Sequence, residues 1–160
     1  MSIEIIIPTL GRCDNQITLS SIPAKHHQIV TLVVQEHEYD YMKNKYTSCN
    51  VWKLPSGTRG IALTRKHIGA NWKGKRIFVM DDDLKFVTID SELKGKNTTE
   101  SEFDDMLSQI ENFMDEGYVH GGLSTHNTPP QEKPHSFNTR VYTNVFYSEK
   151  FDSDSIDWGE

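Results

Sequence analysis

Ile77-Phe78-Val79-Met80-Asp81-Asp82-Asp83 is the stretch on which the reading of this chain turns. The four apolar residues are β-branched or bulky and follow Lys75-Arg76, so they read as a short buried strand rather than a piece of helix. Three adjacent carboxylates then stand at the strand's carboxyl end, and like charges placed side by side need something to neutralise them. In an open α/β sheet that end of a strand is where ligands bind. Hard divalent ions such as Mg²⁺ and Mn²⁺ take one or two protein carboxylates and complete their shell with water and substrate phosphates. The run therefore points to a metal–diphosphate site. The plainer alternative is a solvated acidic turn or a helix N-cap.

Three earlier apolar runs precede it at intervals that suit a strand plus a helix: Ile3 to Ile7, Ile29 to Val34 and Val51 to Leu54. This rhythm predicts an α/β fold with a mostly parallel central sheet flanked by helices. The first two runs and Ile77 to Met80 are almost continuous in Ile, Val, Leu and Phe, as strands covered on both faces must be. The first run ends in Pro8-Thr9-Leu10-Gly11-Arg12, where Gly11 permits a tight turn and Thr9 and Arg12 are offered to a ligand.

Between the third and fourth runs, Ser56 to Trp72 turns helical in its second half. Ile61, Ile68 and Trp72 mark an apolar stripe, and Arg65 lies beside that stripe instead of opposite it. The lead-in Thr58-Arg59-Gly60 would gather helix-start N–H groups, Arg59 and Arg65 around one anion. The alternative is an Arg65 that snorkels past its neighbours to water. Beyond the aspartates, Thr99 to Glu116 carries the clearest helical pattern. Phe103, Met106, Leu107, Ile110, Phe113 and Met114 share a face, Thr99 and Glu102 form a capping box, and Gly117 ends the helix. Its acidic residues are expected on the solvated side. Ser124 to Arg140 is polar and proline-rich and predicts a long lid or binding loop. Val141 to Tyr147 reads as a further strand.

At 160 residues and 18.4 kDa the chain is long enough for one domain with a real core. No apolar stretch approaches the roughly 20 residues that span a bilayer. The amino terminus is too short and too acidic for a signal peptide, so a cytoplasmic location with no membrane partner is expected. Cys13 and Cys49 match no metal or redox spacing and are expected as reduced thiols. The net charge of −6 argues against wholesale nucleic-acid binding, but its distribution is uneven. Tyr41 to Met80 holds no acidic residue and nine cations, whereas Asp81 to Glu116 is strongly acidic. That asymmetry suggests an anionic ligand held between the two, or simply two solvated faces of opposite sign.

Taken together and in order, Ile5-Ile6-Ile7-Pro8-Thr9-Leu10-Gly11-Arg12, Gly60-Ile61-Ala62-Leu63-Thr64-Arg65 and Val79-Met80-Asp81-Asp82-Asp83 resemble the nucleotide-sugar half of glycosyltransferases with the GT-A, Rossmann-like fold. Trp158-Gly159-Glu160 is similar to their acceptor-side motif, and within the fold the chain looks most like the small transferases of viral DNA base hypermodification. The resemblance implies a sugar transfer from a nucleotide sugar, with UDP favoured, to an acceptor hydroxyl that in this group is a hydroxymethylated base in DNA. It also implies Mn²⁺ or Mg²⁺ on Asp83 directly and on Asp81 directly or through water, with His126 as a candidate third ligand. Pro8, Thr9 and Arg12 would line the nucleotide pocket, and Arg59 and Arg65 would approach the diphosphate. Glu160 takes the position of a general base. Members of the family usually continue past this motif, so the expectation divides the chain into a donor and metal half, 1–83, and a half, 84–160, whose acceptor side is incomplete. The reading from another class is a truncated, non-catalytic nucleotide-sugar-binding module.

Overall fold

The computed structural model describes residues 2–89, 94–124 and 143–156. In chain order the elements are β1 (Glu4–Pro8), α1 (Ile17–Ser21), β2 (Val30–Val34), α2 (Tyr39–Lys45), β3 (Asn50–Lys53), α3 (Gly60–Asn71), β4 (Ile77–Met80), β5 (Val87–Ile89), β6 (Gly95–Asn97), α4 (Glu100–Asp115), β7 (His120–Gly121) and β8 (Asn144–Tyr147). The four apolar runs of the sequence are the four parallel strands. The six-stranded sheet has the order β3-β2-β1-β4-β8-β7. Ile5 of β1 lies opposite Val30 of β2 on one side and Phe78 of β4 on the other, all parallel. β8 joins antiparallel to β4, pairing Phe146 with Phe78. The pair β5 and β6 is separate, and with three residues in each strand, Val87-Thr88-Ile89 and Gly95-Lys96-Asn97, it is too short for a periodic pattern to announce it.

Because side chains alternate along a strand, the continuous runs feed two cores. Ile5, Ile7, Leu32, Val34, Phe78 and Met80 pack with Leu19 of α1, Met42 of α2 and the Phe103, Leu107, Ile110 and Met114 face of α4. Ile6, Val33, Ile77 and Val79 point the other way, onto Ile68 and Trp72 of α3. α3 departs from expectation at its start. Ile61 is 55% exposed, and the buried stripe is Thr64, Ile68 and Trp72. A four-residue spacing keeps these three on one face, whereas Ile61 belongs to the first turn of the helix and is left open to solvent. α4 begins as its capping box predicts, with Thr99 and Glu102 each accepting the other's backbone N–H, and Gly117 at φ 98° lets the chain leave it.

The acidic residues of α4 do more than face water. Asp104 holds Lys25 and His26, each at 2.6 Å, Glu111 accepts the N–H of Ile3 at 3.2 Å, and Asp115 meets Arg76 at 2.7 Å. Arg76 also binds Glu149 through two guanidinium nitrogens, at 2.7 and 3.3 Å. Its hydrogen bonds hold the Glu149 carboxyl at about 2, against an ordinary 4.5. The backbone and side-chain bonds of the α4 cap likewise hold Glu102 at about 2. A carboxyl lowered in the folded state adds stability above its unfolded pKa and loses it as pH falls through its folded pKa. Thermal midpoints are therefore expected to fall as pH drops from about 4.5 toward about 2, and more shallowly in Glu149→Gln. An unchanged slope in that variant would exclude this pair as a source of acid sensitivity.

The same pairing accounts for most of the basic stretch. Lys45 binds Asp14, Lys53 binds Glu36, Lys73 binds Asp154, Lys75 binds Glu4 and Arg76 binds two acids. Much of the charge asymmetry along the chain is thus consumed by long-range ion pairs. No helix among the described residues is long and apolar enough to cross a membrane.

Candidate functional site

From β1 the chain builds outward through β2 and β3, and α3 then returns it to β4 on the opposite side of β1. The strand order reverses between β1 and β4, and at such a point the loops leaving two neighbouring strands open a crevice. Here those loops are Thr9 to Arg12 and Asp81 to Asp83. They are joined through Asp82, whose side chain is only 14% exposed. Its Oδ2 accepts the Thr9 hydroxyl at 2.7 Å and its Oδ1 faces Nε of Arg12 at 3.3 Å. Thr9 Oγ1 in turn accepts Nε2 of the buried Gln16 at 2.9 Å, and Gln16 also donates to the carbonyl of Arg12 at 2.8 Å. The buried Glu38 closes the other side of the loop by accepting the N–H of Gly11 at 2.7 Å, where φ of 70° favours glycine.

With the middle carboxylate engaged in this way, Asp81 and Asp83 remain beside it, 37% and 50% exposed. Asp83 meets Arg12 at 3.2 Å and Asp81 faces Arg65 at 3.9 Å. Burial pushes the Asp81 carboxyl up; Arg65 opposes that, and Asp83 and Asp82 add to it. A partly desolvated carboxylate among like charges gains most from a cation. Among the described residues no group of three or more His, Cys, Asp or Glu side chains converges as a metal cage. The protein thus offers two oxygen-donor side chains at one place, which suits Mg²⁺ or Mn²⁺ sharing a site with phosphates and water.

An open cleft of about 480 Å³ reaches the β1 loop at Leu10 and is lined further by Gln35, Glu36 and His37 after β2 and by Pro55 and Gly57 to Gly60 after β3, whereas Asp81 and Arg65 line a separate pocket between α3 and β8. Its floor is built from the carboxyl ends of three strands. Arg59 lines it as the residue that precedes α3, in extended backbone with no side-chain cap.

The sequence candidates divide accordingly. Pro8 ends β1. Thr9, Arg12, Asp81, Asp83 and Arg65 are brought to one strand edge. Arg59 stands across the cleft, so the two arginines expected around a single anion face different neighbours. His126 and Glu160, with the loop over 125–140, lie outside the described residues. Gln16, Thr18, Glu38 and Asp82 are contributors that sequence patterns did not reveal. Asp82 was legible only as a spacer between two acids, and Thr18 sits in a five-residue helix without an apolar stripe. Cys13 and Cys49 are free thiols. Burial, reinforced by Glu38, raises Cys13, and burial pushes Cys49 up to about 11, which leaves both poor nucleophiles near neutral pH.

The Beta-glucosyl-HMC-alpha-glucosyl-transferase of Enterobacteria phage T6 is 30% identical over 129 residues, covering 74% of this chain and 45% of the relative. The protein of the same name from Enterobacteria phage T2 is 29% identical over the same shares. The chain thus spans less than half the length of these relatives. Among solved structures, 4-diphosphocytidyl-2C-methyl-D-erythritolsynthase from Anaerococcus prevotii DSM 20548 superposes with a TM-score of 0.51 over 93% of this chain and 70% of that one. At 12% identity it shows a shared α/β fold and nothing of the activity. The family described as TET-Associated Glycosyltransferase matches residues 3–158, and the chain belongs to it.

Proposed function

We propose that this chain binds a nucleotide sugar, UDP-linked in the favoured case, together with Mn²⁺ or Mg²⁺, and transfers the sugar to an acceptor hydroxyl. The observation that carries the reading is the meeting of the β1 loop and the Asp81–Asp83 turn at the reversal of strand order, with a cleft large enough for a nucleoside reaching the same β1 loop at Leu10. In this reading Gln35, Glu36, His37 and Leu10 surround the nucleoside, and Arg59 and Arg12 approach the diphosphate from the two sides of the cleft. Asp83 and Asp81 are the protein's metal ligands, and Arg65 stands behind Asp81. A bound divalent cation would supply charge neutralisation to the departing nucleoside diphosphate. Arg65 and Arg12 add fixed positive charge where the leaving group gains negative charge, which favours the transition state over the ground state. His126 as a third ligand and Glu160 as the base that takes the acceptor's proton complete the assignment.

The chain is read as one domain whose donor half is 1–83. The name of the phage relatives supports glucosyl as the transferred group and mentions β-glucosyl-HMC, which already carries a sugar; a hydroxymethylated base of viral DNA as acceptor rests on the resemblance of the sequence motifs. With most cations of the basic stretch already paired, contact with DNA phosphates falls to those with no ion pair among the described residues, such as Lys66 in the middle of α3. A steep loss of DNA binding with added salt is the expected signature of those contacts, and a flat response would remove DNA as acceptor. The deciding experiment is calorimetric titration with UDP, GDP, UDP-glucose and GDP-mannose, first in Mn²⁺ and then in EDTA. Binding of at least one, lost or greatly weakened in EDTA, is expected. Absence of binding by all four would return the three aspartates to an acidic turn.

A further inference from the structure

We propose that Thr18 is a positioning residue for the aspartate turn. Through its hydroxyl and its own N–H it sets the main chain of residues 81–84, and so decides where Asp81 and Asp83 present their carboxylates to a divalent cation and a diphosphate. The proposal rests on the donor-site reading above and extends it to a residue that touches neither ligand.

Thr18 is completely buried and makes three hydrogen bonds to that turn. Its Oγ1 donates to the Asp81 carbonyl at 2.6 Å and accepts the N–H of Leu84 at 2.8 Å. Its backbone N–H donates to the Asp82 carbonyl at 3.2 Å. One hydroxyl has a single proton to give and lone pairs to receive, and here both capacities are spent on the two ends of one turn. Ser21, a helical turn later, donates to the Leu84 carbonyl at 3.1 Å. From the sheet side the N–H of Asp81 donates to the Thr143 carbonyl at 2.8 Å. The main chain that carries the carboxylates is thus gripped from two directions.

The side chains are held by a parallel line of contacts. Gln16, two residues before Thr18, orients the Thr9 hydroxyl toward Asp82. α1 therefore controls the turn twice, through its backbone by Thr18 and through its middle carboxylate by Gln16 and Thr9. A metal site made of only two carboxylates has no redundancy among its ligands. Its geometry depends on the groups behind them, whose loss in metalloproteins commonly weakens metal affinity by about 10–100-fold.

Valine at position 18 keeps the shape but leaves the Asp81 carbonyl and the Leu84 N–H without their partner, whereas serine keeps the hydroxyl. Titration of wild type, Thr18→Val and Thr18→Ser with UDP in Mn²⁺ and in EDTA separates the roles, with Mn²⁺ affinity read directly by electron paramagnetic resonance. Thr18→Val is expected to raise the Kd for UDP in Mn²⁺ and for Mn²⁺ itself by about tenfold or more, with UDP affinity in EDTA within about twofold of wild type. Thr18→Ser should restore both. Far-UV circular dichroism and a cooperative melt establish that each variant is folded. Should Thr18→Val not fold, Ser21→Ala, which removes the hydroxyl shared between the Leu84 carbonyl at 3.1 Å and the Thr18 carbonyl at 2.8 Å, is expected to shift Mn²⁺-dependent affinity in the same direction to a smaller extent. Unchanged Mn²⁺-dependent affinity in the folded variants, or an equal loss with and without Mn²⁺, overturns the proposal. A wild-type protein whose nucleotide binding ignores Mn²⁺ fails the donor-site reading itself, a different result from a Thr18→Val variant that behaves as wild type.

Discussion

Asp83→Ala is expected to remove the Mn²⁺-dependent part of nucleotide binding while leaving the melting temperature close to that of wild type. Asp83 is half exposed and its recorded contact is the 3.2 Å pair with Arg12, and exposed pairs of this kind contribute at most about 1 kcal/mol to folding. Little stability is therefore at stake. Binding is another matter, because a hard cation held by two protein carboxylates loses half of its carboxylate ligands when one is removed. Asp82→Ala should behave in the opposite sense. Its carboxylate is mostly buried and bonded to Thr9 and Arg12, so its removal strands a buried hydroxyl and detaches the β1 loop from the turn. A loss of roughly 1–3 kcal/mol is expected there. Calorimetric titration beside thermal melting checks both. Nucleotide affinity in Mn²⁺ that is the same in Asp83→Ala as in wild type would remove Asp83 from the metal site.

Phe103→Ala is expected to have the largest effect on folding, about 3–5 kcal/mol. Phe103 is fully buried, meets Phe86 edge-on with ring centres 5.2 Å apart and lies 5.3 Å from the ring of His26. It shares one core with Leu19 of α1 and Phe78 of β4. The truncation thus opens a cavity beneath the helix that grips the aspartate turn and beside the strand that leads into it. With a total stability in the usual range of about 5–15 kcal/mol, a substantial fraction is lost. Urea denaturation, with midpoint and slope both measured, gives the value. A loss below about 1 kcal/mol would mean that α4 is not seated on the sheet through this ring.

The four parallel strands and the two long helices were legible because their causes are local. A strand covered on both faces must be apolar at every position, and Ile5-Ile6-Ile7 and Ile77 to Met80 say so without reference to anything else in the chain. The start of α4 was legible because Thr99 and Glu102 satisfy each other's N–H groups within one turn. Misplacement followed where the determinant was not local. Ile61 matches the helical period but lies exposed in the first turn of α3, and only the seating of α3 on the sheet reveals that.

The sequence by itself determined the parallel sheet, the loop after the first strand and three carboxylates at the end of the fourth, since periodicity and terminal signals report what each segment must bury. Tertiary structure alone decided the division of labour among those carboxylates. Asp82 is turned inward by Thr9 and Arg12, Asp81 and Asp83 are left at the crevice, and Thr18 holds the main chain beneath them. It also decided that most of the basic stretch is answered by acids elsewhere in the chain. The partners in these contacts lie far apart along the chain, 73 residues for Thr9 and Asp82 and 63 for Thr18 and Asp81. A hydrogen bond or ion pair across such a distance imposes no period on the residues between, so it becomes visible only when the sheet has brought β1 and β4 together.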